Sequence, residues 1–180
     1  MDWRPGNSDV LLLDTETGKV TPLLAETYNE WYPEFSPDGR WLAYVSNKNT
    51  KYEVWVRSFP GQEKEFKVSL DDGMSPMWSR DGKQLFYRRF HQWWQGRPWP
   101  NEMWVVDVKG AADEPFGKPR LLFAKPGYWW AWPVRGDDIG PDGRFLMSKA
   151  GEADPHAITR MILVQNWFEE LKRLCPIGKK

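Results

Sequence analysis

The sequence predicts an all-β chain, a partial β-propeller of four-stranded antiparallel blades, about three blades plus a strand pair, with a short C-terminal helix. Three observations carry this expectation. A ten-residue unit recurs three times without gaps, as Phe35 to Tyr44, Trp78 to Tyr87 and Ile139 to Ser148. Each copy is centred on an Asp-Gly pair, and positions 38, 81 and 142 set the pairs 43 and then 61 residues apart. The first spacing is that of a propeller blade, and the second is a blade plus about 18 inserted residues. Around every pair, apolar runs of strand length are separated by polar turns.

The tetrad Ser36-Pro37-Asp38-Gly39 has the chemistry of a tight hairpin. Proline presets φ near −65°, Asp bonds its local backbone, and Gly supplies the positive φ that lets the chain return. Each copy therefore reads as strand, turn, strand. The strands after the turns are Trp41 to Val45, Gln84 to Tyr87 and Phe145 to Met147. A third strand follows at Glu53 to Arg57 and Glu102 to Val106, matched upstream by Asp9 to Leu13 and more weakly downstream by Arg160 to Gln165. The fourth comes at Val20 to Leu24, Phe66 to Leu70 and Arg120 to Phe123.

With strands lettered a to d, the chain runs cd, abcd, abcd, abc. The corresponding boundaries are 9–24 for the strand pair, 33–70 and 76–124 for two blades, 138–165 for the last blade and 166–175 for the helix. A propeller closes with four or more blades, which removes its edges. This strand count leads us to expect further blades upstream. In the terminal segment Asn166 can cap, Glu169 completes a capping box, and Trp167, Leu171 and Leu174 share a face before Pro176 and Gly178 end the helix.

Lys plus Arg equals Asp plus Glu at 25 each, so no global field draws the chain to nucleic acid or an anionic membrane. Apolar runs such as Val10 to Leu13 and Met161 to Val164 fall far short of the roughly 20 residues a membrane helix needs. A single cysteine, Cys175, allows no intrachain disulfide. His91 and His156 have no partner at metal-ligand spacing, so neither metal nor cofactor is expected. The oddity is 13 tryptophans.

These units resemble the WD40-like, or PD40, repeats of TolB-type propellers, in which a strand ends in Ser-Pro-Asp-Gly and a short apolar strand follows. The resemblance spans roughly residues 9 to 165. Gly140 and Arg80 depart from it, standing where Ser and Pro are usual. The close of the chain, Gly140 to Met147 leading into Leu163 to Lys172, is similar to the ends of propellers attached to bacterial receptor-like serine/threonine kinases and winged-helix regulators. That resemblance implies a non-catalytic sensory module of a larger signalling protein, outside the cytoplasm. No Gly-rich phosphate loop, His-Arg-Asp or Asp-Phe-Gly string is present.

Because blade strands alternate direction, the b–c and d–a loops share one face. Two insertions fall there: 90–100, with Trp93, Trp94, Arg97 and Trp99, and Lys125 to Asp137, with Tyr128, Trp129, Trp130, Trp132 and Arg135. The shorter loop carrying Tyr28, Trp31 and Tyr32 brings the total on this rim to seven of the 13 tryptophans. Such rings anchor interfaces, offering rigid apolar area with a polar handle. Two readings stand. The rim binds a protein, peptide or glycan with Arg97 and Arg135 as polar contacts, or the two loops pack on each other as a lid. Trp41, Trp55, Trp78 and Trp104, at recurring strand positions, are expected in the packing, and Asp38, Asp81 and Asp142 are expected to form turns.

Two enzyme readings compete. A prolyl-oligopeptidase-type serine peptidase would need Gly-x-Ser-x-Gly, and the nearest string, Gly73-Met74-Ser75-Pro76-Met77, lacks the second Gly. A carbohydrate-active propeller would need paired carboxylates, for which Glu26 and Glu30 are the candidates.

Overall fold

The computed structural model describes residues 7–61, 64–89, 101–110, 113–125 and 136–148. The chain divides into two compact units, Met1–Lys149 and Ala150–Lys180. The second unit, with the expected strand at Arg160 to Gln165 and the expected helix 166–175, lies outside the described residues.

Among the described residues every regular element is a strand. Strands β1 (Val10–Leu13) and β2 (Val20–Leu24) form a pair. Strands β3 (Glu30–Phe35), β4 (Trp41–Ser46), β5 (Glu53–Ser58) and β6 (Glu65–Lys67) form a sheet in that order. A second four-stranded sheet runs β7 (Met74–Trp78), β8 (Gln84–Arg89), β9 (Asn101–Asp107), β10 (Arg120–Lys125). Strands β11 (Asp137–Ile139) and β12 (Phe145–Met147) pair beyond it. All neighbours are antiparallel. The result is an all-β partial propeller of four-stranded blades.

The recurring turns explain why these strands form. Gly39 N–H donates to the Ser36 carbonyl at 2.8 Å, and Gly39 takes φ 70°. This is a β-turn followed by a left-handed residue, which reverses the chain without splaying the strands. Asp38 fastens it, accepting from Ser36 Oγ at 2.6 Å and from Arg40 N at 3.0 Å. The Ser36 hydroxyl in turn accepts from Trp41 N at 3.0 Å. Ser79, Asp81, Lys83 and Gln84 repeat the arrangement within 0.1 Å of these lengths, at 2.7, 3.1 and 2.9 Å. Asp142 keeps the bond from Arg144 N, 3.1 Å, but Gly140 supplies no hydroxyl.

Packing occurs between sheets, and the period-2 alternation of the second strands serves both sides. Leu42 and Tyr44 of β4 join Val10 and Leu24 of the first pair, with Leu23 and Trp55 against them. Ala43 and Val45, which alternate with them in sequence, face the other way and pack with Val54, Val56, Met74, Trp78, Leu85 and Tyr87. Across the next boundary Met77, Phe86, Met103 and Val105 meet Ile139. Being covered on both faces, β4 reads as an unbroken apolar run rather than an alternating one. Trp41, Trp78 and Trp104 belong to the large cluster, and the rings of Trp41, Phe66 and Phe116 meet edge to face at 5.2 to 5.9 Å.

Strand β6 stops earlier than the sequence suggested. Val68 N–H still reaches the Val54 carbonyl at 2.9 Å, but the Ser69 hydroxyl takes Val54 N–H at 3.0 Å, so a side chain replaces the ladder. The first strands share another irregularity. Tyr32 and Ser75, each followed by proline, hold φ of 53° and 49°, and the register shifts beside both. Left-handed non-glycine residues cost on the order of 1–3 kcal/mol and persist where surrounding structure dictates them. Strands β3 and β7 are also locked side by side, Glu34 Oε1 accepting from Trp78 N and the Glu34 carbonyl from Trp78 Nε1, both at 3.1 Å.

Candidate functional site

Trp93, Trp94, Arg97, Trp99, Tyr128, Trp129, Trp130, Trp132 and Arg135 lie outside the described residues. The strand ends that flank them are described, and they gather in one place. Arg89 pairs with Glu102, and Lys125 with Asn101, so the end of β8, the start of β9 and the end of β10 share one edge. The start of β11 joins them through Asp137, bonded to Arg88. The loop before β7 sits there too: Arg89 reaches Asp71 at 2.7 Å and Asp72 at 3.1 Å.

The equivalent edge of the β3–β6 sheet is closed by the loop before β3. Asn29 N–H donates to Asn47 Oδ1 at 2.9 Å, tying that loop to the one between β4 and β5. Of the three rings the sequence placed here, Tyr28 is exposed at 40%. Trp31 and Tyr32 belong instead to β3 and pack against the core, Trp31 stacking on Tyr52 at 4.6 Å. Trp31 stands opposite the core residue Val45 in the regular ladder, and Tyr32 lies in the register shift that follows.

Beside this edge, between β2 and the β3–β6 sheet, lies a cavity of about 210 Å³ lined by Leu24, Glu26, Tyr28, Glu30, Tyr44, Ser46, Lys48, Arg57 and Glu65. Cross-strand register brings the side chains together. Tyr44 stands opposite Trp55, and Arg57 opposite Glu65, on the face turned toward β1 and β2. Tyr44 donates its hydroxyl to Glu65 Oε1, Lys48 pairs with Glu65 Oε2, and Lys48 Nζ lies 3.4 Å from the Trp55 ring centroid. Burial raises the Tyr44 hydroxyl above its ordinary value, and the bond to Glu65 adds to it. For Glu65 burial pushes upward, but the bonds and charges of Lys48 and Tyr44, with Arg57, hold it below the usual carboxylate range.

Glu30 is different. Only 3% of it is exposed, and its Oε2 has no hydrogen-bond partner among the described residues. Burial, then the charges of Asp9 and Glu26, raise its carboxyl to about 6, against the Glu26 backbone N–H and Lys48. Glu26 and Glu30, the carboxylates the sequence offered for a carbohydrate-active propeller, both line this cavity, and of the two only Glu30 is buried. The sequence did not point to Lys48, Glu65, Arg88 or Asp137. For Arg88 a signal existed: the repeat sets it against Val45, a charge in a slot its predecessor fills with a buried apolar side chain. Among the described residues no group of His, Cys, Asp and Glu is arranged to hold a metal ion, and no helix is long and apolar enough to cross a membrane.

Comparison with known proteins agrees on the fold. Residues 2–78 match the family described as the dipeptidyl peptidase IV N-terminal region. The uncharacterized peptidase YuxL of Bacillus subtilis strain 168 is 30% identical over 80 residues, which is 43% of this chain and 12% of that protein. A structure assigned as TolB from Agrobacterium tumefaciens superposes with a TM-score of 0.56 at 18% identity, over 78% of this chain and 49% of its own. The acylaminoacyl peptidase of Pyrococcus horikoshii gives 0.44 at 20% identity, over 67% of this chain and 21% of its own. The chain thus spans about half of the TolB structure and a small part of either peptidase. The TolB likeness shows a propeller fold.

Proposed function

We propose that this chain is the non-catalytic, ligand-binding part of a β-propeller, presenting a protein, peptide or glycan with the face on which its Trp-rich segments are anchored. The observation that carries the reading is convergence. The strand ends flanking residues 90–100 and 126–135 share one edge, and the cavity with the buried Glu30 lies beside the equivalent edge of the preceding sheet. The setting we propose is the sensory end of a larger bacterial signalling protein outside the cytoplasm, on the resemblance of the chain's close to kinase- and regulator-linked propellers. The test is to probe peptide and glycan arrays with the chain and with a variant carrying Trp93, Trp94, Trp129 and Trp130→Ala. Capture lost at unchanged melting supports the binding rim. A collapse of melting supports the lid, and equal capture by both proteins rules the rim out.

A second reading is favoured by the match over residues 2–78 and by the peptidase relative: the chain serves as the propeller region of a prolyl-oligopeptidase-type serine peptidase. Its own role stays non-catalytic there, and the same face would govern access of peptides. Treating the protein as the cell makes it with a fluorophosphonate probe separates the two settings. Covalent labelling supports the peptidase, whereas an unlabelled protein supports the signalling module.

A further inference from the structure

We propose that the cavity beside Glu30 is a socket for a guanidinium group, delivered by an arginine side chain of a polypeptide partner. The inference deepens the reading of this face as a binding face and rests on it. Glu30 is 3% exposed, lines the cavity, and has one carboxylate oxygen with no partner among the described residues. A buried carboxylate oxygen left without a donor is costly, and a charge-assisted pair is the arrangement that offsets the cost. The cations already present do not supply it. Lys48 is committed to Glu65 and the Trp55 ring, and Arg57 is engaged as well.

The molecule itself shows what such a position takes. At the boundary beyond β8, Arg88 places Nη2 and Nε 2.5 Å from the two oxygens of Asp137, at the start of a first strand. Glu30 also begins a first strand and faces the preceding boundary, with one carboxylate oxygen still open among the described residues. The cavity, about 210 Å³, is below the roughly 300 Å³ at which small-molecule pockets begin and is suited to the head of one side chain. Guanidinium fits better than ammonium, because a planar fork can serve both oxygens of a carboxylate and lie against an aromatic ring. The exposed Tyr28 ring and the Glu26 carboxylate stand at the rim for those contacts. Among the described residues, Asp9 and Glu26 oppose Glu30's ionisation, Lys48 favours it, Glu65 is already paired, and Arg57, which also lines the cavity, is already engaged.

The test is calorimetric titration of the full chain with N-acetyl-arginine amide and with its neutral isostere N-acetyl-citrulline amide, repeated with Glu30→Gln. The proposal expects saturable binding of the arginine compound, at least tenfold weaker binding of the citrulline compound, and at least tenfold loss of arginine binding in the variant. Glu26→Gln, at the exposed rim, is expected to weaken binding about threefold. Affinity should also fall as pH drops below about 6, where Glu30 takes up a proton. Equal binding of the two compounds, or undiminished arginine binding by folded Glu30→Gln, overturns the proposal. Should the variant not fold, the citrulline comparison on the unaltered chain decides alone. Array capture through the tryptophans without arginine binding would sink the socket and leave the binding face intact, and the reverse result would sink the rim alone.

Discussion

Arg88 and Asp137 form a two-point ion pair with both side chains 1% exposed, Nη2 to Oδ1 and Nε to Oδ2 each at 2.5 Å, joining β8 to β11 across a boundary between blades. Such a pair gains little over apolar packing, because desolvation offsets attraction, yet removing one partner strands a buried charge. Asp137→Ala is therefore expected to destabilise the chain by about 3–5 kcal/mol, whereas Arg88→Met combined with Asp137→Leu should cost far less. Urea unfolding of the single and double variants checks this. A double variant as unstable as the single one would show that the pair itself, rather than its rupture, matters.

The turns make an acid-stability prediction. The Ser36 hydroxyl above all, with the Arg40 N–H and guanidinium, lowers the Asp38 carboxyl from 3.8 to about 2, against the opposing effect of burial, which outweighs any single contribution of Arg40. Asp81 and Asp142 are lowered too, chiefly by Ser79 and by the Arg144 N–H. A carboxyl lowered by folding contributes stability that is fully present above its unfolded value and is lost as pH falls through the folded one. Asp38→Asn should thus flatten the loss of stability between about pH 4 and pH 2. The third turn offers the complement. Gly140→Ser would restore the missing hydroxyl and stabilise by roughly 0.5–1.5 kcal/mol, the usual yield of one hydrogen bond, once Asp142, whose Oδ1 lies 2.9 Å from the new Cβ, shifts to accept from it as Asp38 and Asp81 accept from Ser36 and Ser79. Thermal melts of the two variants across pH would show both effects.

Gly73 sits where residues of the two sheets crowd closely around the backbone. A Cβ there would lie 2.9 Å from both Ser69 Cβ and Val54 Cγ2 and 3.1 Å from Tyr87 Cδ2. Since the loop is also held by Gly73 N–H to the Tyr52 carbonyl at 2.9 Å, it has little room to retreat. Gly73→Ala should cost about 1–3 kcal/mol, as overpacking of a core does. Chemical denaturation checks it, and an unchanged midpoint would mean that the sheets separate freely.

The strands were legible because their signals are local. Asp38-Gly39 and Asp81-Gly82 fix turns through bonds spanning at most five residues, and β4 and β8 follow directly from them. The end of β6 was not legible, since it depends on whether Ser69 turns its hydroxyl onto Val54 N–H 15 residues away. The fate of Trp31 and Tyr32 was missed because the sequence sets the start of the blade at 33, whereas β3 begins at Glu30 and already pairs Trp31 with the core residue Val45. The site was half legible. Glu26 and Glu30 lie four residues apart and invite pairing, but Glu65 reaches the cavity only through its register opposite Arg57, and Asp137 meets Arg88 from 49 residues away. Contacts of that kind are set by the stacking of sheets, which no short window of sequence contains.

The same stacking gives Glu30 a pH signature opposite to that of the turn acids. Burial and the nearby acids Asp9 and Glu26 raise its carboxyl from 4.5 to about 6, so between these values the folded chain holds a proton that the unfolded chain has released. Folding is favoured by that uptake below pH 4.5, and the contribution fades as pH rises through 6. Glu30→Gln removes the titration while keeping shape and polarity. The variant is therefore expected to match the unaltered chain near pH 4 and to melt higher at pH 7 and above, with the gap opening between the two. Melting curves at half-unit intervals of pH would follow it. A constant gap would place the effect in packing, and a lower melting temperature at pH 7 would mean that the ionised carboxylate contributes to the fold.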